Sequence, residues 1–316
     1  MATSRDYDEL VRKYIDPKVE DNVYNATPLL RRLKAKAKVR NLADWHKLPL
    51  EVAEGIGGPM HDLDTIDRSR KEITDYSYWQ LKEYYCVLTV SKRDRLICSG
   101  AEDVVDLLQA KARNAQKKMR KELTSGIVSD GTTNTKHFVG LQRAIPDTTS
   151  DDSTAYGNIT GSTDTWWNPQ HQNKSSTALT YPDIVNMKAA CEDGDDTPTC
   201  LYTDKFIKAY IWGRLLQPQE RYNDGGKIKT ADGLDVVAGI PILTDAAFES
   251  DGETGGRIYF VNEKYLRLWI HSKDNFKYWP FMLADDQFAY SAKWTLSGFY
   301  ACTNRKRQGL IYGISV

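Results

Sequence analysis

No apolar run in this chain is long enough to cross a bilayer. The longest, Val236 through Leu243, is interrupted by Gly239 and Pro241 and falls far short of the roughly 18–20 residues a spanning helix needs. Cysteine is sparse and unpatterned: Cys86, Cys98, Cys191, Cys200 and Cys302 are odd in number and form no Cys-x-x-Cys, which reads as reduced thiols in a cytoplasm. Cys191 and Cys200, flanking an acidic loop, are the one pair that could be bridged or hold a metal, and plain buried thiols are the simpler reading. The N-terminus carries no apolar core and no small-residue cleavage site, so no secretory signal is expected and the chain is expected to stay in the cell that makes it.

Catalytic signatures are missing as well. Gly55, Gly57 and Gly58 open like a phosphate loop, but the third spaced glycine is absent and Pro59 would break the helix that has to follow. Gly225, Gly226 and Lys227 are followed by Ile228, where a P-loop needs Ser or Thr to reach magnesium. There is no Gly-x-Ser-x-Gly elbow and no His-Glu-x-x-His, and His46, His61, His137, His171 and His271 are scattered. The acids Glu192, Asp193, Asp195 and Asp196 lack the alternating ligand spacing of an EF-hand and read as a solvated loop. No cofactor or metal is expected. A cytosolic hydrolase remains an alternative only if scattered residues converge in three dimensions.

What is present is a folded chain with unevenly laid charge. At 316 residues, 41% hydrophobic and 27% charged, it can bury one elaborate core or two ordinary ones. Formal net charge is zero, yet Arg31, Arg32, Lys34, Lys36, Lys38 and Arg40 crowd one window and Lys111, Arg113, Lys117, Lys118, Arg120 and Lys121 another, neither holding an acid. Setting those twelve apart from the 43 basic residues leaves 31 against 43 acidic ones, so one face can meet an anionic polymer while the rest is repelled by it. Arg31, Arg32, Lys34, Lys36, Lys38, Arg40, Lys117, Lys118 and Lys121 are the candidates for sequence-independent contact with DNA phosphates. The bland alternative is a solvated helix face.

Periodicity orders the elements. Tyr7, Leu10, Val11, Tyr14 and Ile15 predict a short helix stopped by Asp16 and Pro17. Thr27 and Pro28 open a second, with Leu29, Leu30 and Leu33 as a narrow stripe that needs the main body or a partner to cover it. Residues 47–90 read as a long two-stranded hairpin with a flexible tip from Gly55 to Arg70 and a return run from Tyr76 to Ser91. Its aromatics Tyr76, Tyr78, Trp79, Tyr84 and Tyr85 are candidates for a clamp on a neighbouring copy, since an isolated ribbon is marginal in water. Ser99 and Glu102 have capping-box spacing ahead of a stripe running from Ala101 through Leu123, a long spine helix that Gly126 is expected to stop. A polar, loop-rich stretch covers 132–180. An α/β lobe follows, with helices from Pro182 to Ala190 and from Asp204 to Leu216, and strands at Thr199–Tyr202 and Leu234–Leu243. Strands return to the end of the chain.

Asp130, Gly131 and Thr132, then Gly140 and Leu141, Tyr156 to Ile159, Trp166 to Asn168, and the closing Asn304 to Gly309 together resemble major capsid proteins of tailed bacteriophages. Gly157 and Asn158 stand where two glycines are expected. The order of elements is similar to the Hong Kong 97-type capsid fold over essentially the whole chain. The resemblance implies an α+β fold with an N-terminal arm (1–45), an extended β-hairpin loop (46–92), a peripheral domain with the spine helix (93–180), an axial α/β domain (181–256) and return strands of the peripheral domain (257–316). It further implies a non-enzymatic subunit that forms pentamers, hexamers and an icosahedral or prolate head around double-stranded DNA. Such a subunit is assembled in a host cytoplasm into a virion with portal, scaffolding and decoration proteins, and without a membrane. An encapsulin-like cellular shell is the alternative of the same class.

Overall fold

The structure, a computed structural model, describes residues 4–25, 27–53, 55–62, 65, 69, 72–97, 101–132, 134–147, 155–215, 235–248, 256–283 and 288–315. The Ser99 cap, Cys98, Gly225 to Lys227 and part of the hairpin tip lie outside them.

Three helices open the chain: α1 (Ser4–Tyr14), α2 (Asp16–Tyr24) and α3 (Pro28–Ala35). The expected stop at Asp16 and Pro17 is a start instead, because a proline in the first turn sacrifices only an N–H that has no helical partner anyway. Thr27 caps α3, its hydroxyl accepting from Leu30 N at 3.4 Å. The arm is not extended. Val11, Val19, Val23, Tyr24, Leu30 and Leu33 are buried in the subunit's own main core. Polar ties fix the docking: Asp8 accepts from Tyr278 Oη (2.6 Å) and Phe281 N (2.9 Å), and Asp16 accepts from the indole of Trp294 at 2.9 Å.

The strands β1 (Lys38–Arg40), β2 (Trp45–Glu51), β3 (Thr74–Gln80) and β4 (Lys82–Ser91) follow. β2 and β3 form the expected antiparallel ribbon, Trp45 opposite Gln80 and Glu51 opposite Thr74. The return run is not one strand, however. It breaks at Leu81, whose N–H bonds to Asp44 O, and β4 leaves the hairpin for another sheet. Its faces alternate as expected, with Tyr84, Cys86, Leu88 and Val90 inward. After the short α4 (Lys92–Ile97) comes the spine α5 (Ala101–Val128), roughly 42 Å long at 1.5 Å per residue. Val104, Leu108, Ala112, Ala115, Met119, Leu123 and Ile127 form its buried stripe. Gly126 does not stop it. The glycine is there for closeness, since a Cβ would stand 2.0 Å from Tyr84 Oη.

The polar connection holds α6 (Leu141–Ala144) and a strand that its composition concealed, β5 (Gln170–Ala178). β5 is an edge strand with mostly exposed polar side chains, so no apolar alternation marks it. The lobe continues with α7 (Tyr181–Cys191), β6 (Cys200–Thr203), α8 (Lys205–Tyr210), a π-helical turn (Ile211–Leu215), β7 (Val236–Val237) and β8 (Ile240–Thr244). The single strand expected at 234–243 is a tight hairpin, because Ala238 and Gly239 both take positive φ (50° and 79°) and reverse the chain. Then come β9 (Gly256–Val261), β10 (Leu266–His271), β11 (Lys277–Leu283), β12 (Ala289–Cys302) and β13 (Gly309–Ser315).

Two sheets result besides the ribbon. One runs β1-β10-β12-β11 with β4 paired to the other edge of β12, and the other runs β5-β13-β9-β6-β8-β7. The return segment 257–316 therefore does not belong wholly with the spine helix: β9 and β13 join the lobe sheet, while β10, β11 and β12 join the sheet beneath α5. A separate lobe core, including Ile184, Met187, Ile207, Phe260 and Ile311, lies between that sheet and its helices. Cys86, Cys191, Cys200 and Cys302 are all buried free thiols.

Gly140 marks the tightest backbone approach at the end of the spine, where a Cβ would lie 2.3 Å from Ile127 O and 2.6 Å from Ser129 O. Backbone cannot yield as a side chain tip can, so Gly140→Ala should cost about 1–3 kcal/mol. A urea titration should show a lowered midpoint with an unchanged slope.

Candidate functional site

The basic residues of the arm do not share one environment. Arg32 Nη1 donates to both oxygens of Glu263 at 3.2 and 3.4 Å, and Lys36 Nζ donates to Oε2 at 3.4 Å. Glu263 is buried between β9 and β10, where Tyr202 Oη also donates to it at 3.3 Å and Cys200 Sγ lies at 3.5 Å. Burial pushes the Tyr202 phenol and the Cys200 thiol up, and the neighbouring carboxylate adds to both shifts. The Tyr202 hydroxyl and the Cys200 thiol thus reach Glu263 as protonated donors. Burial is the largest single influence on the Arg32 guanidinium and opposes its charge, and the surrounding groups, Glu263 foremost, together outweigh it and raise the pKa. Lys34 pairs with Asp21 at 2.7 Å and Glu20 at 3.6 Å, over the Tyr24 ring.

The expectation of an uncompensated arm is thereby corrected for three of its six charges. Their acids come from α2 and from a turn 231 positions away for Arg32, which no local window displays. Arg31 is exposed on α3, while Lys38 and Arg40 lie over the Trp269 ring at 5.1 and 5.5 Å from its centroid. Lys117, Lys118 and Lys121 project from the solvent face of α5, and Lys118 pairs with Glu122 at 2.6 Å. Among the described residues, Arg31, Lys38, Arg40, Lys117 and Lys121 have no carboxylate within ion-pair distance.

The aromatic candidates divide too. Tyr76 and Tyr78 are each 41% exposed and Tyr85 is 70% exposed, and Lys47 Nζ sits 3.6 Å from the Tyr76 ring centroid. Trp79 and Tyr84 are only 3% and 6% exposed. The notion that a neighbour alone could cover the hairpin base is wrong for these two. Trp79 packs edge-on to Tyr156 at 4.8 Å and stacks toward Phe299, and its indole donates to Ser77 Oγ. Tyr84 Oη accepts from Phe138 N at 3.0 Å, its ring 4.7 Å from that of Phe138. Between β4 and α5 a groove of about 620 Å³ remains, lined by Tyr85, Val87, Lys111, Lys118, Glu122 and His137 among others.

The local patterns scattered along the sequence converge beside the hairpin base. Tyr156, Gly157, Asn158 and Ile159 form a tight reversal, and Asn158 adopts φ 68°, a conformation asparagine tolerates better than most residues. Gly157 O accepts from Tyr78 N at 2.9 Å, tying the ribbon down. Trp167 Nε1 donates to Tyr156 O, Tyr156 Oη accepts from Cys302 N, and Arg305 Nε donates to Ala144 O beneath the Tyr156 ring. Sequence reasoning missed Glu263, for which the one available signal was an acid in the short turn between two apolar strands.

If Glu263 holds the arm, Glu263→Ala should loosen α3 by on the order of 2 kcal/mol, less than the roughly 3–5 of a fully buried pair because Lys36 is half-exposed. Limited trypsin digestion should then cut at Arg31 and Arg32 well before the lobe. Unchanged cleavage order would show that apolar burial alone docks the arm.

No protein-family profile matches this sequence, and no curated protein matches it. Solved structures do. The chain is similar to a subunit of the cyanophage A-1(L) capsid asymmetric unit at 14% identity and a TM-score of 0.65, covering 92% of this chain and 93% of that one. A capsid chain of a native GTA particle matches at 14% identity, 90% coverage of each chain and a TM-score of 0.59. The SrpI encapsulin of Synechococcus elongatus PCC 7942 matches at 13% identity, with 92% and 88% covered and a TM-score of 0.52. The α+β fold is the one shared by these capsid and encapsulin subunits.

Proposed function

We propose that this chain is the major capsid protein of a tailed bacteriophage, a non-catalytic subunit that assembles into pentamers and hexamers and closes as a head shell around double-stranded DNA. The observation that carries the reading is the two-way coverage: nearly the whole chain superposes on nearly the whole of a phage capsid subunit. An enzyme domain embedded in a longer or shorter chain would not match in both directions. The same neighbours favour a shell over a cytosolic hydrolase. An encapsulin-like shell is the second reading, favoured by the SrpI match, and nucleic acid inside the particles separates the two.

In Hong Kong 97-type terms, α1 to α3 correspond to the arm and β2–β3 to the extended loop. The β4–α5 sheet and helix correspond to the peripheral domain, and the six-stranded lobe to the axial domain around which capsomers close. Tyr76, Tyr78 and Tyr85 are the clamp residues that keep exposed surface for a neighbour. Arg31, Lys38, Arg40, Lys117 and Lys121 are the cations left for DNA, with Arg32, Lys34, Lys36 and Lys118 contributing only if their partners release them. Portal, scaffolding and decoration proteins are the expected partners in the virion, which is assembled in the host cytoplasm.

Purified protein should form capsomers or closed particles, scored by light scattering behind size exclusion and by negative-stain microscopy. A strictly monomeric profile at high concentration in every salt and scaffold condition counts against a shell. Deleting residues 57–70, beyond the paired part of the ribbon, should leave helical circular dichroism and cooperative melting near normal while abolishing particles. A deletion that unfolds outright, or that still closes normal shells, removes the clamp role.

A further inference from the structure

β1 adds to the sheet beside β10 in parallel, Lys38 opposite Trp269 and Arg40 opposite His271. Side chains of paired positions, and of positions two apart on one strand, share a face, so Lys38, Arg40, Trp269 and Arg267 stand on the same side of the sheet edge. The contacts agree: Lys38 Nζ lies 5.1 Å and Arg40 Cζ 5.5 Å from the Trp269 ring centroid, and His46 packs on the same ring at 5.6 Å. Three cations and an imidazole thus gather on one edge, although like charges repel.

Among the described residues no carboxylate forms an ion pair with Lys38, Arg40 or Arg267, and Asp44, the acid nearest in the connecting loop, pairs with none of them. Partial burial first, then Arg267 and Arg40, hold the Lys38 ammonium below the ordinary lysine value, and burial followed by Arg40 lowers His46. A cluster of cations with no paired carboxylate among the described residues fits an acceptor-only polyanion, and its two guanidiniums, planar forks of donors, suit the non-bridging oxygens of a phosphodiester backbone, the polyanion that the shell reading supplies.

We propose that the β1–β10 edge, through Lys38, Arg40 and Arg267, is a nucleic-acid backbone site of this subunit. The inference rests on the shell reading and narrows its DNA contact from a diffuse basic arm to one place. Arg267, far from both basic windows in the sequence, belongs to it, whereas Arg32 and Lys36 do not.

The test is the salt dependence of binding between the full-length protein and a fluorescein-labelled DNA duplex, followed by anisotropy. Each backbone contact to duplex DNA contributes roughly 0.9 to the slope of log affinity against log salt, so R40Q/R267Q should flatten the slope by about 1.8. K13Q/K18Q, exposed on α1 and α2, serves as the comparison and should change it less. If the double variant fails to fold, K38Q alone should flatten the slope by about 0.9. A wild-type protein with no salt-sensitive duplex binding overturns both the site and the DNA-enclosing reading. Wild-type binding with an unchanged slope in R40Q/R267Q overturns the site alone. Intact binding with lost particle assembly also overturns it, and assigns the edge to an acidic surface of a second copy.

Discussion

The interaction on which the rest depends is the burial of β12 among its neighbouring strands and against the arm. Along its first half Ala292, Trp294 and Leu296 point inward while Lys293 faces solvent, and along its second half, from Ser297 to Cys302, every side chain is buried. The change in period records a change in surroundings. Where the first half lies, one face of the sheet is covered and the other is open to water. Where the second half lies, the ribbon base with Trp79 and His46 covers the outer face as well. The strand also organises the others, since β10 and β11 pair to one of its edges and β4 to the other. Trp294 at its centre is fully buried, and its one polar atom is satisfied by Asp16 of the arm. An indole N–H left unpaired in such a core would cost about 1–3 kcal/mol, so arm docking and sheet packing are mutually dependent.

This dependence explains what was legible in the sequence. The spine stripe, the Thr27 cap, the alternation of β4 and the first lobe helix are local patterns, and each is found within a residue or two of where periodicity places it. Two failures are local, the Pro17 start of α2 and the Ala238–Gly239 reversal, and in the others the deciding information is distant. Gly126 reads as a helix stop but marks the approach of Tyr84 from another strand. β5 has no apolar alternation because it is held by backbone pairing to β13 at a sheet edge. The Tyr76–Ser91 run has one continuous β pattern, yet Leu81 diverts it from one sheet into another. The partition of residues 257–316 between two sheets is likewise a matter of topology, which composition does not encode.

The charges follow the same logic. A window with six cations and no acid looks like a surface awaiting an anion, but helix α3 delivers Arg32 and Lys36 to a carboxylate that enters from between β9 and β10. What separates a structural cation from one available for binding is therefore its partner in space. Arg32 is anchored on Glu263, whereas Lys38 and Arg40, a few residues on, lie over an aromatic ring with no counter-charge. The resemblance to capsid proteins was legible because its local patterns converge on Tyr156, a buried ring that ties the spine exit, the ribbon base and the closing turn together.

The remaining exposed apolar surface is where a subunit of this fold would meet its neighbours. The arm buries its own apolar face within the chain, so it cannot be the element whose folding waits on assembly. On the proposed shell reading that part falls to the outer ribbon, where Tyr76 and Tyr78 stay exposed beyond the internally packed Trp79, and to Tyr85 and Val87 on the open face of β4. Each such contact is small. A closed shell repeats it around every symmetry axis, so contacts too weak to hold two subunits permanently can sum to a stable particle while single errors remain reversible. A subunit that stays folded alone and leaves only a modest sticky surface is better suited to that process than one with a large apolar patch, which would associate without register.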